Sequence, residues 1–133
     1  MVLHPAVIVH SLDDVRAAFS PGRPVTFLSA PGAALYGGCL WWAELMRAAG
    51  ADSSLLDCAD APGRAVEALR LGLPGVVLRC EAQIFAAVAG IAAAQGAVLL
   101  AEAPPALDMA QRGAARRLVA WLGPTGFGPT GLG

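Results

Sequence analysis

The chain has 133 residues, of which 56% are hydrophobic and 14% charged, with a formal net charge of −1. That length suits one domain with a substantial core, and so little charge implies deep burial or self-association. No basic face for a phosphate backbone is expected, and all nine basic residues are arginine. Without a lysine amine, neither a Schiff-base nor a pyridoxal site can be built, nor a P-loop. The three cysteines, Cys39, Cys58 and Cys80, are widely spaced, and the histidines are only His4 and His10. That pattern gives no zinc spacing, so neither metal nor cofactor is expected. It suits reduced thiols in a cytoplasmic protein.

Taken in order, Ala6 to His10 is a continuous apolar run, the mark of a strand buried on both faces. Ser11 follows as an N-cap with Asp14 three residues on, and Leu12, Val15, Ala18 and Phe19 share one helical face. Pro24 to Ser29 reads as the second strand, and Ala30 to Gly38 as a glycine-rich loop. A helix from about Cys39 carries Trp41, Trp42, Leu45, Met46 and Ala49 on an apolar arc, and Gly50 ends it. Ser53 to Asp57 is the third strand. Asp60 is placed to cap the next helix, with Pro62 in its first turn.

Gly75 to Arg79 is the fourth strand, and Ala82 to Gln95 a helix with Ile84, Phe85, Val88 and Ile91 on its inward side. Ala97 to Ala101 is the fifth strand. Asp108 then caps a last helix reaching about Leu122. Residues 82–101 hold no charge over 20 positions, about the length of a membrane span. Gly96 and two glutamines interrupt the run, and Glu81 and Glu102 flank it, so a helix followed by a strand is the expected reading. Residues 1–122 form one domain, and residues 123–133 a flexible Gly/Pro-rich tail.

Five strands alternating with five helices predict an α/β fold: an open, doubly wound, parallel five-stranded sheet, flavodoxin-like and three-layered, with helices on both faces. A half-barrel βα repeat that dimerises is the alternative. In either case ligands bind beyond the carboxyl ends of the strands.

That rim supplies the candidate residues. Asp57, His10 and Cys58 are the candidates for catalysis: a carboxylate or imidazole base, and a thiol. Candidate ligand-binding residues are Ser11, Ser29, Gly32, Tyr36, Gly37, Gly38, Asp60, Cys80, Glu81 and Glu102. The glycines would bring backbone N–H groups to a small anion. Capping by Ser11 and Asp60, and burial of the thiols as small apolar groups, are the competing structural roles.

The five-fold βα order resembles that of response-regulator receivers, in which an aspartate ending the third strand is the phosphoacceptor, and Asp57 is similarly placed. The resemblance implies at most a degenerate receiver-like domain. Asp13 and Asp14 follow Ser11 and Leu12 rather than the strand itself, Arg79 or Cys80 stands at the strand-four hydroxyl, and the strand-five lysine is absent.

Two functional readings follow. One is a non-catalytic interaction module, a homodimer formed through the Trp41–Trp42 helix or the Ala/Gly face of residues 86 to 94. The other is a small enzyme or binding protein for an anionic metabolite. Neither nucleic acid nor membrane is expected as a partner.

Overall fold

The structure is a computed structural model and describes residues 1–123. The tail expected beyond that point lies outside the described residues. The elements run β1 (Ala6–Ile8), α1 (Leu12–Phe19), β2 (Thr26–Leu28), α2 (Ala33–Tyr36), α3 (Cys39–Ala49) and β3 (Ser54–Asp57). They continue with α4 (Pro62–Arg70), β4 (Gly75–Val77), α5 (Ala82–Gln95), β5 (Val98–Leu100), β6 (Ala106–Asp108) and α6 (Ala114–Leu122).

The fold is α/β, with one parallel sheet flanked by helices. The strand order is β5-β4-β3-β2-β1-β6, so the sheet has six strands rather than the expected five. The sixth is Ala106–Asp108, where a helix capped by Asp108 was anticipated. The helix starts at Ala114 instead, behind Gly113 in the left-handed region at φ 79°.

The winding also departs from the doubly wound, flavodoxin-like arrangement. Neighbours β1 to β5 follow chain order, and right-handed crossovers between sequential neighbours place every helix on the same side. The packing agrees. Buried residues of all six helices share one cluster with Val7, Phe27, Leu56, Val76 and Leu107 of the strands. Helices α6, α1, α3, α4 and α5 pack side by side in that order, matching the strands beneath them. Among the described residues there is therefore one helical layer, and the helices do not cover both faces. The receiver-like layout, which is doubly wound, is not the one adopted.

The other sheet face carries Leu28, Leu55 and Val77, each at most 2% exposed, although among the described residues no helix lies over them. A sheet curled on itself accounts for their burial, with the amino-terminal residues at one end. The β5–β6 connection requires the same shape. A flat six-stranded sheet would separate its edges by about 24 Å, before the return along the strand. The six steps from Leu100 to Ala106 span at most about 21 Å.

The amino-terminal residues close one end of this trough. Val2 accepts a hydrogen bond at its carbonyl from Ser53 Oγ (2.9 Å), and His4 N–H donates to Thr26 Oγ1 (2.8 Å). Met1 Sδ lies 3.2 Å from Ser54 N, and Gly75 makes room for it: a Cβ there would sit 2.8 Å from Met1 Cε and 2.7 Å from Leu55 Cδ2. The opposite end, at the carboxyl ends of the strands, is left as the mouth.

Helix α5 follows its expected bounds, but not its expected facing. Only Val88 and Ala92 are buried; Ile84 and Ile91 are exposed on the outside of an edge helix. No helix is long and apolar enough to cross a membrane among the described residues, and Gly96 splits the uncharged run into α5 and β5.

Candidate functional site at the mouth of the curled sheet

Side chains alternate across a strand, so the residue two positions beyond each inward-facing apolar residue belongs to the mouth. From Ile8, Leu28, Leu55, Val77, Leu100 and Ala106 this register leads to His10, Ala30, Asp57, Arg79, Glu102 and Asp108. Five of these six are ionisable or basic, whereas the inward positions before them are apolar. Two direct contacts confirm the shared face: His10 with Asp108, and Arg79 with Asp57.

The first contact joins neighbouring strands. His10 Nε2 lies 2.7 Å from Asp108 Oδ1, across 98 positions of sequence. Asp108 Oδ1 also accepts from Ala110 N–H at 2.9 Å. Partial burial pushes the Asp108 pKa up, but the Ala110 N–H and the His10 imidazole outweigh it and hold the carboxyl below its ordinary 3.8. A carboxylate facing Nε2 selects the tautomer that carries the proton there, which leaves Nδ1 as an acceptor. His10 N–H donates to Asp14 Oδ2 (2.9 Å), and Ser11 Oγ caps α1 by accepting from Asp14 N–H (3.2 Å). Ser11 is thus engaged as a cap.

The depressed Asp108 pKa makes a stability prediction. The folded state holds this proton less tightly than the unfolded chain, so the contribution is complete above the ordinary value and is lost as pH falls through the lower, folded one. Urea unfolding measured from pH 5 downward should show Asp108→Asn with a shallower acid loss than the parent. Parallel curves would mean that the carboxylate is not coupled to folding.

The second contact lies at the centre of the mouth. Asp57 is 2% exposed, and its Oδ1 accepts from Ala59 N–H (2.8 Å) and Gly32 N–H (3.1 Å), with Arg79 Nη2 at 3.5 Å. Ser29 Oγ accepts from Asp57 N–H at 2.8 Å and lies 3.2 Å from the Ala30 carbonyl, to which it donates. Asp57 and Ser29 therefore tie the turn after β3 to the loop after β2. The Gly32 N–H offered to an anion in the sequence reading is taken by Asp57, and the Gly37 N–H by the Ala33 carbonyl. Both are internal ties rather than a vacant anion cradle.

Asp60 is exposed and does not cap α4, whose N-cap is Ala61 with no side-chain hydrogen bond. Cys58 belongs to the other side of β3. It is buried in the helical cluster, and burial pushes its thiol up to about 12, with Cys39 and Asp57 adding to the rise. Burial, then the nearby Glu67, pushes Cys39 to about 11. A thiol at such values holds almost no thiolate at neutral pH, and the thiolate is the nucleophile, so this environment does not favour Cys58 as a nucleophile. Cys80 alone is partly exposed. A thiol-specific disulfide reagent at pH 8 should label one cysteine per folded chain, Cys80, and all three in denaturant. Rapid labelling of two or more folded thiols would contradict this placement.

Two recesses open at the mouth. An open cleft beside the β4 and β5 ends holds Arg79, Cys80 and Glu102 against Leu78, Ala82 and Phe85, while Glu81 is exposed at the start of α5. The second, of about 280 Å³, is lined by Val9, His10, Ala30, Ala33, Tyr36, Gly37 and Trp41. Here Gly37 has a spatial role: a Cβ would lie 3.0 Å from Trp41 Cε3. Gly38, at φ 84°, opens α3. Among the described residues, no group of three or more histidine, cysteine or acidic side chains could hold a metal ion.

No protein-family model, curated protein or solved structure matches this chain. Asp108 and Trp41 are the site residues that the sequence reading passed over. A signal for Asp108 exists, because Ala106-Leu107-Asp108 repeats the apolar-then-aspartate ending of Leu55-Leu56-Asp57. Both aspartates accept a hydrogen bond from the N–H two residues on.

Proposed function

We propose that the protein binds a small molecule in the His10 recess, with the imidazole as the group that engages it. One observation carries this reading: the only histidine at the mouth has a carboxylate partner 2.7 Å away and borders an apolar recess walled by Trp41 and Tyr36. A mostly apolar recess with one convergent polar group is the usual form of a ligand site. The carboxylate orients the ring and leaves Nδ1 as an acceptor within hydrogen-bond reach of a ligand proton, so the site is equipped to take a proton as well as to bind. Asp57 serves as a positioning residue, holding together the loops that flank the recess.

The test is a fragment screen read from the NMR signals of the His10 ring, the Tyr36 ring and the Trp41 indole. Fragments that move all three together are expected. A screen in which none moves His10, or in which only the Arg79–Glu102 cleft responds, overturns the reading.

Self-association is the second reading, favoured by α5. This edge helix contains no charged residue, exposes Ile84 and Ile91, and lies beside β5, which among the described residues is paired on one side only. A self-complementary uncharged face suits a homodimer. Native mass spectrometry should then give the dimer mass, and Ile91→Glu the monomer; a parent that is monomeric at tens of micromolar would remove this reading.

A further inference from the structure

Resting on the His10 recess as a ligand site, we infer that its ligand is a flat aromatic molecule of one or two rings that presents a hydroxyl or ring N–H to His10 Nδ1. The size follows from the volume. An apolar cavity of about 150 Å³ accommodates benzene, and this recess, at about 280 Å³, is roughly twice as large. The walls set the shape: Trp41 and Tyr36 are aromatic, and Val9, Ala30 and Ala33 are apolar and small, which favours a stacked ring.

The charge of the ligand follows from what is missing around it. No arginine is among the residues that line the recess, and Arg79 at the mouth borders the other cleft and faces Asp57. A carboxylate or phosphate would therefore lose its hydration without gaining a cation. Hydrogen-bond polarity completes the description. Asp108 occupies His10 Nε2, and Nδ1 makes no hydrogen bond among the described residues. With the proton held on the Asp108 side, Nδ1 accepts, so its ligand partner must donate. An aromatic ether or ketone of the same outline has nothing to offer it.

The experiment uses the full chain and matched probes: 2-naphthol, 2-methoxynaphthalene, cyclohexanol and benzoate, titrated by calorimetry and by the His10 and Trp41 NMR signals. Naphthol should bind about tenfold more tightly than its methyl ether, the typical worth of one hydrogen bond. Cyclohexanol and benzoate should bind more weakly still. In Asp108→Asn the new amide can donate to Nε2, which moves the ring proton to Nδ1. The preference for naphthol over the ether should then shrink towards parity.

Equal affinity of naphthol and its ether for the parent protein overturns the donor requirement, and cyclohexanol or benzoate matching naphthol overturns the aromatic class. If none of the four binds while other fragments still move His10, this inference falls and the recess remains a ligand site. If no compound of any kind moves His10, both fall.

Discussion

Asp57→Ala is expected to lower the melting temperature by about 10 °C, corresponding to roughly 3 kcal/mol for a domain of this size. The carboxylate is buried and serves two backbone N–H groups, those of Ala59 and Gly32. Alanine removes both acceptors at once, and each donor left partly buried costs about 1–3 kcal/mol. The turn itself adds to the loss, because Ala59 sits at φ 52°, a conformation that alanine adopts only when its surroundings impose it. Asp57→Asn keeps an acceptor oxygen and should lose about 1 kcal/mol. A thermal melt of the two variants decides the role. If both melt with the parent while ligand binding disappears, Asp57 is a contact residue of the site and not the tie between its loops.

Asp57 also illustrates what the sequence could disclose. An aspartate that ends an apolar strand without capping a helix needs a reason, and the sequence placed it correctly on the rim. Its reason, an N–H from Gly32 in another loop, depends on β2 lying beside β3, and strand order has no local signature. The doubly wound expectation failed on the same point. The continuous apolar run at Ala6–His10 meant burial on both faces, and Val7 and Val9 are buried on one face while Ile8 is half-buried on the other. One face is covered by helices, but the other, with Leu28, Leu55 and Val77, is covered by the curl of the sheet. Alternation cannot tell these two kinds of cover apart. Strand β6 was missed because three residues carry too short a period to separate a strand from the first turn of a helix. With β6 went Asp108, and with Asp108 the partner of His10. Cys58 lies away from the mouth for a reason of parity. It is adjacent to Asp57 in the chain and therefore on the opposite side of the strand.

The two adjacent tryptophans should separate the core from the site. Trp42 is fully buried, its ring centre 5.8 Å from that of Trp41, which is 40% exposed over the recess. Trp42→Ala is expected to cost about 3–5 kcal/mol, enough to consume much of the 5–15 kcal/mol typical of a small domain. Urea unfolding should show an early midpoint, or no folded baseline at all. Trp42→Phe should be far milder, by a balance of two terms. The smaller ring leaves part of the space unfilled, but it also removes an indole N–H that is buried without a partner among the described residues, a defect worth about 1–3 kcal/mol. Trp41→Ala should change stability by about 1 kcal/mol or less, as expected for a half-exposed side chain, while removing the aromatic wall beside His10. The decisive comparison is therefore within one helix turn. Trp41→Ala should keep the parent's unfolding midpoint and lose the His10 response to naphthol, whereas Trp42→Phe should keep both. A Trp41→Ala variant that unfolds as early as Trp42→Ala would mean that the recess wall is part of the core, and that no ligand is needed to explain why an aromatic stands there.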